Sequence, residues 1–360
     1  MTIAADLSNL AFTAGGVNTA GYMFRNRIIN GDMRIDQRNS GASSSNAGAY
    51  TVDRWKYGAS QSGKFTWQQS AGAVTPPPGY NYYLGFTSSS AYTVLATDYF
   101  NVWQSIEGYN IADLAWGTAN AKTITVSFWV YSSLTGTFGG AITNSASNRS
   151  YPFSYTISTA NTWSQKFITI NGDTSGTWAS TNGGGLYLIF SLGTGSNYQG
   201  TAGAWVGADR ETVTGETQVV STSGATWYIT GVQLETGSIA TPFERRPFGM
   251  ELALCQRYYH RVVPLANYAP LGVGRAYSTT AGNVSYYLPV SMRSSPTVTY
   301  SALSDIDIVP GGAATAITND AATLQAVKLG YTKSGLTSGG IYIMEFNTNL
   351  SAWLAFSSEL

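Results

Sequence analysis

Charged side chains are scarce in this chain of 360 residues: they make up 11% of it, against about 25% in an average soluble protein. The 19 basic and 19 acidic residues balance to a formal net charge of zero. No cluster of Lys and Arg is present, and phosphate contacts require one, so the sequence argues against nucleic-acid binding. Because so little charge keeps copies apart, the composition favours self-association.

Cysteine and histidine are nearly missing, with one of each, Cys255 and His260. An intramolecular disulfide is therefore excluded, so the protein either folds in a reducing compartment or is stabilised by a large core and by oligomerisation. A multi-His zinc site and a Cys–His dyad are equally excluded within one chain. We interpret His260 as a structural cation at a helix C-terminus rather than as a general base supported by Glu251.

Long apolar runs are also missing. Nothing approaches the roughly 18 uninterrupted apolar residues that a membrane helix needs, so no membrane insertion is expected. The first ten residues have neither the basic start nor the apolar run of a signal peptide, which predicts synthesis in a cytoplasm.

Residues suited to short strands and tight turns are abundant instead, with 40 Gly, 24 Tyr and 10 Trp in a chain that is 43% apolar. The clearest strand is residues 123–130, where Ile124, Val126, Phe128 and Val130 alternate with polar residues. Further strands are predicted over residues 33–37, 163–170, 186–192 and 226–234. Turn clusters separate them, which favours a mainly β fold with a jelly-roll β-sandwich over residues 24–247.

Residues 248–261 break this pattern. They follow Pro247, contain good helix formers and precede Pro264, so we expect a short connecting helix packed beneath the sandwich. From residue 262 to 360 strand patterns return, over residues 284–290, 297–300, 326–331 and 340–346, and predict a second, smaller, distal β domain. Residues 1–23 are small and weakly apolar, as in a flexible terminus or a docking peptide.

Two groups of motifs carry a resemblance to a known family. The first is residues 27–38 (RIINGDMRIDQR) with residues 50–55 (YTVDRW), and the second is residues 227–235 (WYITGVQLE), 240–246 (ATPFERR) and 251–259 (ELALCQRYY). Together they resemble bacteriophage tail-fibre and virion surface proteins that contain a carbohydrate-binding-module-like jelly roll. The resemblance covers residues 24–261, and we expect its two ends to pair as first and last strands.

This resemblance implies a structural virion component, assembled in the host cytoplasm and commonly homotrimeric, that attaches the particle to glycans or proteins of the host surface. Residues 1–23 would anchor it to other tail or capsid proteins. Two alternatives stay open: a capsid or tail decoration fibre that has lost ligand binding, and a polysaccharide depolymerase. We expect no enzyme activity and no cofactor.

Carboxylate pairs are the candidates for glycosidase chemistry. We interpret all three pairs as structural: Asp32 with Asp36 in turn chemistry, Asp209 with Glu211 around a neutralising Arg210, and Asp305 with Asp307 on one strand facing solvent. A calcium ion in the jelly-roll loops would be compatible with such residues, but no ligand cluster supports it.

Flat aromatic side chains beside amides suit the apolar faces and hydroxyl groups of sugars better. The candidates for glycan contact lie in three segments: Tyr80, Tyr82 and Tyr83; Trp103 and Gln104; and Asn197 and Tyr198. In the distal domain Tyr268, Tyr277, Tyr286 and Tyr287 are the corresponding contact candidates. The alternative for each is a place in the core or in a subunit contact.

Overall fold

The computed structural model describes residues 24–360, and the proposed anchoring segment, residues 1–23, lies outside the described residues. The described chain is mainly β, with a jelly-roll sandwich, one short α-helix and a smaller C-terminal β region, as the sequence predicts. No helix in residues 24–360 combines the length and apolar character needed to cross a membrane.

The first twelve strands of the described residues, numbered along the chain, are β1 (Lys56–Ala59), β2 (Phe65–Gln69), β3 (Leu84–Ser88), β4 (Tyr99–Glu107), β5 (Ile124–Ser132), β6 (Gly136–Asn144), β7 (Ser150–Ile157), β8 (Ser164–Ile170), β9 (Gly184–Thr194), β10 (Gln199–Gly200), β11 (Thr212–Val213) and β12 (Thr226–Thr236). Ten of them form two antiparallel sheets, ordered β1-β4-β9-β6-β7 and β2-β3-β12-β5-β8. We call these the front sheet and the back sheet. β10 and β11 make a separate parallel ribbon.

The two sheets enclose one hydrophobic core. The predicted apolar face of β5 is confirmed, because Ile124, Val126, Phe128 and Val130 are all fully buried in it. Phe128 packs edge-to-face against Phe190 of the front sheet with ring centroids 4.9 Å apart. Alternate residues of each strand therefore point inward, and their neighbours are left to form the outer faces.

The strand expected over residues 33–37 is not present. Asn30 and Met33 have positive φ angles of 58° and 59°, which turn the backbone out of an extended path. The Asn30 side chain then takes the place of a partner strand: its Oδ1 accepts from the Ile35 N–H at 2.9 Å, and its Nδ2 donates to the Asp53 carbonyl at 2.9 Å. Side-chain hydrogen bonds, rather than a sheet ladder, hold this segment.

The first motif does contact the last strand of the sandwich, but not as one terminal strand against another. β12 lies in the middle of the back sheet, and residues 26–31 run irregularly beside it. The Val232 N–H donates to the Gly31 carbonyl at 2.9 Å, and the Arg27 N–H donates to the Leu234 carbonyl at 2.9 Å. A Cβ on Gly31 would lie 2.1 Å from the Val232 oxygen, so this approach requires glycine.

The connecting helix, α1 (Phe248–Gln256), begins after Pro247 as expected but ends five residues before the predicted end at Arg261. The following residues form strand β13 (Tyr259–Val262) instead. Their backbone pairs with a strand near the C-terminus, and this sheet pairing outweighs the weak helix propensity of Tyr and His. Cys255 of α1 is buried against Ile29 and Ile35 of the first motif.

The C-terminal part contains β13 and eight further strands of the described chain: β14 (Pro270–Ala276), β15 (Ala281–Tyr287), β16 (Thr297–Tyr300), β17 (Ile306–Val309), β18 (Ala316–Ala322), β19 (Ala326–Thr332), β20 (Ile341–Phe346) and β21 (Leu354–Ser357). They form a three-stranded sheet, β13-β21-β16, and a six-stranded sheet, β17-β20-β14-β15-β19-β18. A second core, distinct from that of the sandwich, includes residues of both sheets. The domain boundaries at residues 247 and 261 stay predictions.

Buried ion pairs join the C-terminal end to the sandwich. The carboxylate of Glu359 is bonded to Arg54, which is almost fully buried, and to the Nη2 of Arg38 at 2.8 Å. Glu107, at the end of β4, accepts from the Arg257 Nη2 at 2.6 Å and from the Tyr258 hydroxyl at 2.6 Å. Low dielectric makes each of these groups costly to leave without its partner.

The ribbon β10–β11 is attached to the front sheet through Glu216, which is buried. Its carboxyl group is bonded to the Ser191 hydroxyl of β9 at 2.7 Å and to the Thr212 hydroxyl of β11. Burial, as the main cause, raises the pKa of Glu216 to about 7, while these hydroxyl groups lower it in part.

Replacing Glu359 with Ala should lower the free energy of unfolding by about 3–5 kcal/mol, because it leaves the buried Arg54 guanidinium without its carboxylate. Urea titration of both proteins measures the difference. Glu345→Ala is the matched control, since Glu345 lies on an exposed sheet face opposite Asp307 and should change stability by no more than about 0.5 kcal/mol. Equal effects of the two substitutions would contradict the role given to Glu359.

Glu216 should make stability depend on pH. Its folded pKa, about 7, lies above the ordinary value of 4.5, so the folded state holds the proton more tightly. The stabilisation is complete below pH 4.5 and is lost as pH rises to about 7, by roughly 3 kcal/mol. Urea unfolding across this range should show the free energy of unfolding of wild type falling by that amount relative to Glu216→Gln, whose amide does not titrate. A constant difference would contradict the assignment.

Candidate functional site

A groove of about 450 Å³ lies on the outer face of the front sheet, under the segment that carries β10 and β11. Its floor and walls come from β1, β4, β6 and β9 and from three flanking loop segments. The lining residues are Ala47, Gly48, Lys56, Tyr57, Gly58, Ala59, Tyr99, Asn101, Trp103, Thr143, Ser147, Tyr187, Ile189, Asp209 and Glu211.

Strand alternation places the groove residues. In β4, Phe100 and Val102 enter the core, so Asn101 and Trp103 face outward. The register brings Trp103 opposite Lys56 of β1 and Ile189 of β9. The groove floor is therefore a row of neighbouring side chains on a twisted sheet, held from behind by the core.

Two aromatic rings form a platform in the groove. Trp103 and Tyr187 lie with ring centroids 5.2 Å apart and their planes inclined by 36°. Both side chains are half-buried, so part of each ring faces solvent. The Lys56 ammonium lies 5.3 Å from the Trp103 ring centre and provides the only Lys or Arg side chain among the lining residues.

Asn101 lies beside this platform and opposite Gly58 in the register of β1 and β4. Its Nδ2 donates to the Glu211 Oε2 at 2.7 Å. Its Oδ1 is buried and has no hydrogen-bond partner among residues 24–360. A Cβ on Gly58 would lie 2.5 Å from that oxygen, so glycine leaves the amide the room that it occupies.

Two carboxylates complete the wall. Burial, as the main cause, raises the pKa of Glu211 to about 7 and also raises that of Asp209. Neither carboxylate forms an ion pair in the described part of the chain, and Asp209 accepts no side-chain hydrogen bond there. Arg210, expected to neutralise them, donates instead to the backbone carbonyls of Asn197 and Asp209.

The groove thus combines a flat apolar surface with hydrogen-bond acceptors. Such a surface suits a ring that is apolar on one face and carries hydroxyl groups at its edge. Among residues 24–360 no three His, Cys, Asp or Glu side chains gather in a way that could hold a metal ion.

Of the seven predicted glycan contacts, Trp103 lines the groove and Tyr198 lies at its border, with its ring 6.0 Å from that of Tyr99. Asn197, next to it, is exposed, and its carbonyl accepts from Arg210. Gln104 faces the other way: it is buried, and both ends of its amide bond the Ile29 backbone, at 2.8 and 2.9 Å.

The three predicted contacts that follow Pro76–Pro78, namely Tyr80, Tyr82 and Tyr83, are not among the groove residues. Tyr83 is fully buried, with its hydroxyl donating to the Ala71 carbonyl and accepting from the Val74 N–H at 2.8 Å. Tyr80 packs edge-to-face on a neighbouring Phe ring, and Tyr82 is exposed. The structure therefore does not bring these three together with Trp103.

Among the distal candidates, Tyr268, Tyr277 and Tyr287 are exposed, whereas Tyr286 is half-buried and stacks on Phe356 at 4.7 Å. These four residues do not line the groove.

His260 lies in β13, not at a helix end, so the interpretation as a cation favoured by a helix dipole is wrong. Its Nε2 lies 3.0 Å from the Tyr286 hydroxyl, and burial lowers its pKa to about 4. The ring is therefore neutral at pH 7. Glu251 is bonded to the Asn30 N–H and to Arg246, and no hydrogen bond joins it to His260 in the described residues.

The remaining carboxylate pairs have structural roles. Asp36 accepts from the backbone N–H groups of Asn39 and Gly41, at 2.9 and 2.8 Å, and so closes a turn. Asp305 is buried in a 3₁₀ turn and accepts from the Asn349 Nδ2 at 3.0 Å, so it does not face solvent as we expected.

Four groove residues, Tyr187, Asn101, Asp209 and Glu211, are absent from the contacts predicted from sequence. For Tyr187 a signal exists: in the predicted strand over residues 186–192 it lies on the face opposite Leu186, Leu188 and Phe190. An aromatic residue on that outer face marks a surface position of interest. The two carboxylates are on a distant loop, and only the folded register brings them to Trp103.

A cluster of three Trp rings, Trp116, Trp178 and Trp205, lies elsewhere on the sandwich. Each indole N–H is already bonded within the protein, to Lys122, Asp173 and Asn171 respectively. This cluster therefore has the character of core packing.

No protein-family model and no curated protein matches the sequence. Several solved structures match at low identity. The enzymatically active domain of tailspike protein 4 from bacteriophage CBA120 aligns at 11% identity and a TM-score of 0.34, covering 59% of this chain and 22% of that chain. TmCBM61 in complex with β-1,4-galactotriose aligns at 11% identity and a TM-score of 0.31, covering 59% of this chain and 99% of that chain.

A family 11 carbohydrate-binding module from Clostridium thermocellum, solved with a mixed-linked tetrasaccharide, aligns at 10% identity and a TM-score of 0.29, covering 55% of this chain and 98% of that chain. The present chain spans about a fifth of the tailspike's length and nearly all of each module. At TM-scores this low, the likeness carries no argument about function.

Proposed function

We propose that this chain is a glycan-binding protein and that the groove on the front sheet is its binding site. The observation that carries the proposal is the Trp103–Tyr187 platform beside Asn101 and two carboxylates. A sugar ring would lie with its apolar C–H face on the two aromatic rings. Its hydroxyl groups would donate to Asn101, Asp209 and Glu211.

The groove is partly open to solvent and is lined by four strands, which favours a chain of sugars over a single small molecule. Each site would then contribute a modest affinity. Several copies engaging one surface can raise avidity by about 10²–10⁴-fold without any new contact. Weak single sites are therefore compatible with firm attachment.

The finer proposal is a subunit of a phage tail fibre or virion surface fibre that adheres to host-surface glycans or proteins. It is supported by the motif resemblance over residues 24–261, which implies a homotrimer, and by the shortage of charge, which favours self-association. In this proposal residues 1–23 attach the chain to other virion proteins. In this proposal the chain has no enzyme activity and no cofactor.

Trp103→Ala should weaken glycan binding by at least roughly 30-fold, about 2 kcal/mol, because it removes half of the aromatic platform. A glycan array identifies the tightest oligosaccharide, and titration calorimetry then measures its Kd. Trp129→Ala is the matched control, since Trp129 is a half-buried Trp on the outer face of the back sheet, opposite Gln165.

The control should leave the Kd unchanged, and both variants should retain cooperative thermal unfolding. Equal losses in the two variants would place the site elsewhere, and failure of wild type to bind any oligosaccharide would sink the proposal. Shortened chains after incubation with host polysaccharide would instead show the protein to be a depolymerase.

Gly58→Ala should also weaken glycan binding several-fold. Unlike Trp103→Ala, which removes a ring from the groove, this substitution adds a methyl group to it. The new Cβ would meet the Asn101 Oδ1 at 2.5 Å and displace that amide in the groove. Gly207→Ala is the control, since a Cβ there meets nothing within 4 Å. Calorimetry with the same oligosaccharide should separate the two variants, and unchanged binding in Gly58→Ala would exclude Asn101 from the site.

A further inference from the structure

Three hydrogen-bond acceptors that line the groove receive few hydrogen bonds from the protein. Asp209 accepts no side-chain bond in the described chain, Glu211 accepts one from Asn101, and the Asn101 Oδ1 is buried without a partner. A buried acceptor with no donor costs free energy. A ligand rich in donors would remove that cost.

Once Glu211 has released its proton, the two carboxyl groups of the groove favour a cation. Two carboxylates face one ammonium, that of Lys56, which lies near the Trp103 and Tyr50 rings and forms no ion pair within 4 Å among the described residues. The faces of Trp and Tyr rings also attract cations. A positively charged group would therefore meet favourable partners on both the wall and the floor.

A bare metal ion fits these residues poorly, because a protein site for Ca²⁺ uses six to eight oxygen ligands and no cluster of three suitable side chains exists here. An ammonium group fits better, since it has three donors and no acceptor. The groove's acceptors are Asp209, Glu211 and Asn101, and they lie beside an aromatic platform that suits a sugar ring.

We propose, on the basis of the proposed function, that the groove prefers glycans containing amino sugars with a free ammonium group over neutral and acidic glycans. The ammonium would bind between Asp209 and Glu211 and donate hydrogen bonds to both carboxylates, which receive few from the protein itself. N-acetylation would abolish the preference, because it removes the charge and two of the donors.

The test compares matched β-1,4-linked oligomers of glucosamine, N-acetylglucosamine, glucose and a uronic acid by calorimetry, in a mildly acidic buffer that keeps the amine protonated. We expect the glucosamine oligomer to bind at least about tenfold more tightly than the other three. In Asp209→Asn and Glu211→Gln the ratio of glucosamine to glucose affinity should fall towards one. Glu345→Gln, which changes a half-buried carboxylate of β20 that does not line the groove, should keep the wild-type ratio.

Proton release gives an independent readout. Burial raises the pKa of Glu211 to about 7, so the empty groove holds a proton that an ammonium group would displace. The other titratable and charged groups around it are Lys56, Tyr99, Tyr187, Tyr198, Asp209, Arg210 and Glu216. Binding enthalpies in two buffers of different ionisation enthalpy should differ for glucosamine oligomers and agree for glucose oligomers, and Glu211→Gln should remove the difference.

Equal affinity for glucose and glucosamine oligomers, or equal loss of preference in Glu345→Gln, would overturn this inference while leaving glycan binding intact. If no oligosaccharide binds, the proposed function fails and the inference fails with it.

Discussion

The close approach of Gly31 to the carbonyl group of Val232 is the constraint on which the rest of the architecture depends. A Cβ at Gly31 would lie 2.1 Å from that oxygen, so two segments separated by about 200 residues meet only because one of them has no side chain. Around this contact the fold must satisfy many buried polar groups. Arg246 and Glu251 do so by bonding the backbone of residues 26–30, and Asn26 accepts from the Ile28 N–H and donates to the Val232 carbonyl. These bonds explain why polar residues recur in both motifs.

This contact also reaches the groove. Gln104 bonds both the N–H and the carbonyl of Ile29, so the irregular first segment holds β4 through a side chain that imitates a strand partner. The next residue towards the N-terminus, Trp103, points to the opposite face because side chains alternate along a strand. The motif that closes the sandwich therefore fixes the floor of the groove from behind. The sandwich thus needs a rigid interior contact to present a precise outer surface.

The sequence predicts best what depends on local pattern. β5 is found within two residues of its predicted bounds, and β16 matches residue for residue, because burial of one strand face imposes a period of two. The strand prediction for residues 33–37 is wrong because the Asn30 side chain, not a neighbouring strand, forms hydrogen bonds with their backbone. The helix ends early because a strand near the C-terminus competes for the residues after Gln256. Trp103 could be predicted from composition and from its neighbours in sequence. Its proximity to Asp209 and Glu211 could not, because those residues lie on a distant loop that only the folded chain brings to the groove.

Two carboxylates elsewhere in the chain accept more hydrogen bonds from the protein than those of the groove do. Asp98 and Glu216 are buried too, yet each accepts several bonds from hydroxyl or backbone donors of the protein. Asp209 receives no such side-chain bond in the described residues and Glu211 receives one. Asp209 and Glu211 therefore differ from these two carboxyl groups, and they line the same cavity as the Trp103–Tyr187 platform. A site that keeps its acceptors unsatisfied gives up stability that a ligand can restore on binding.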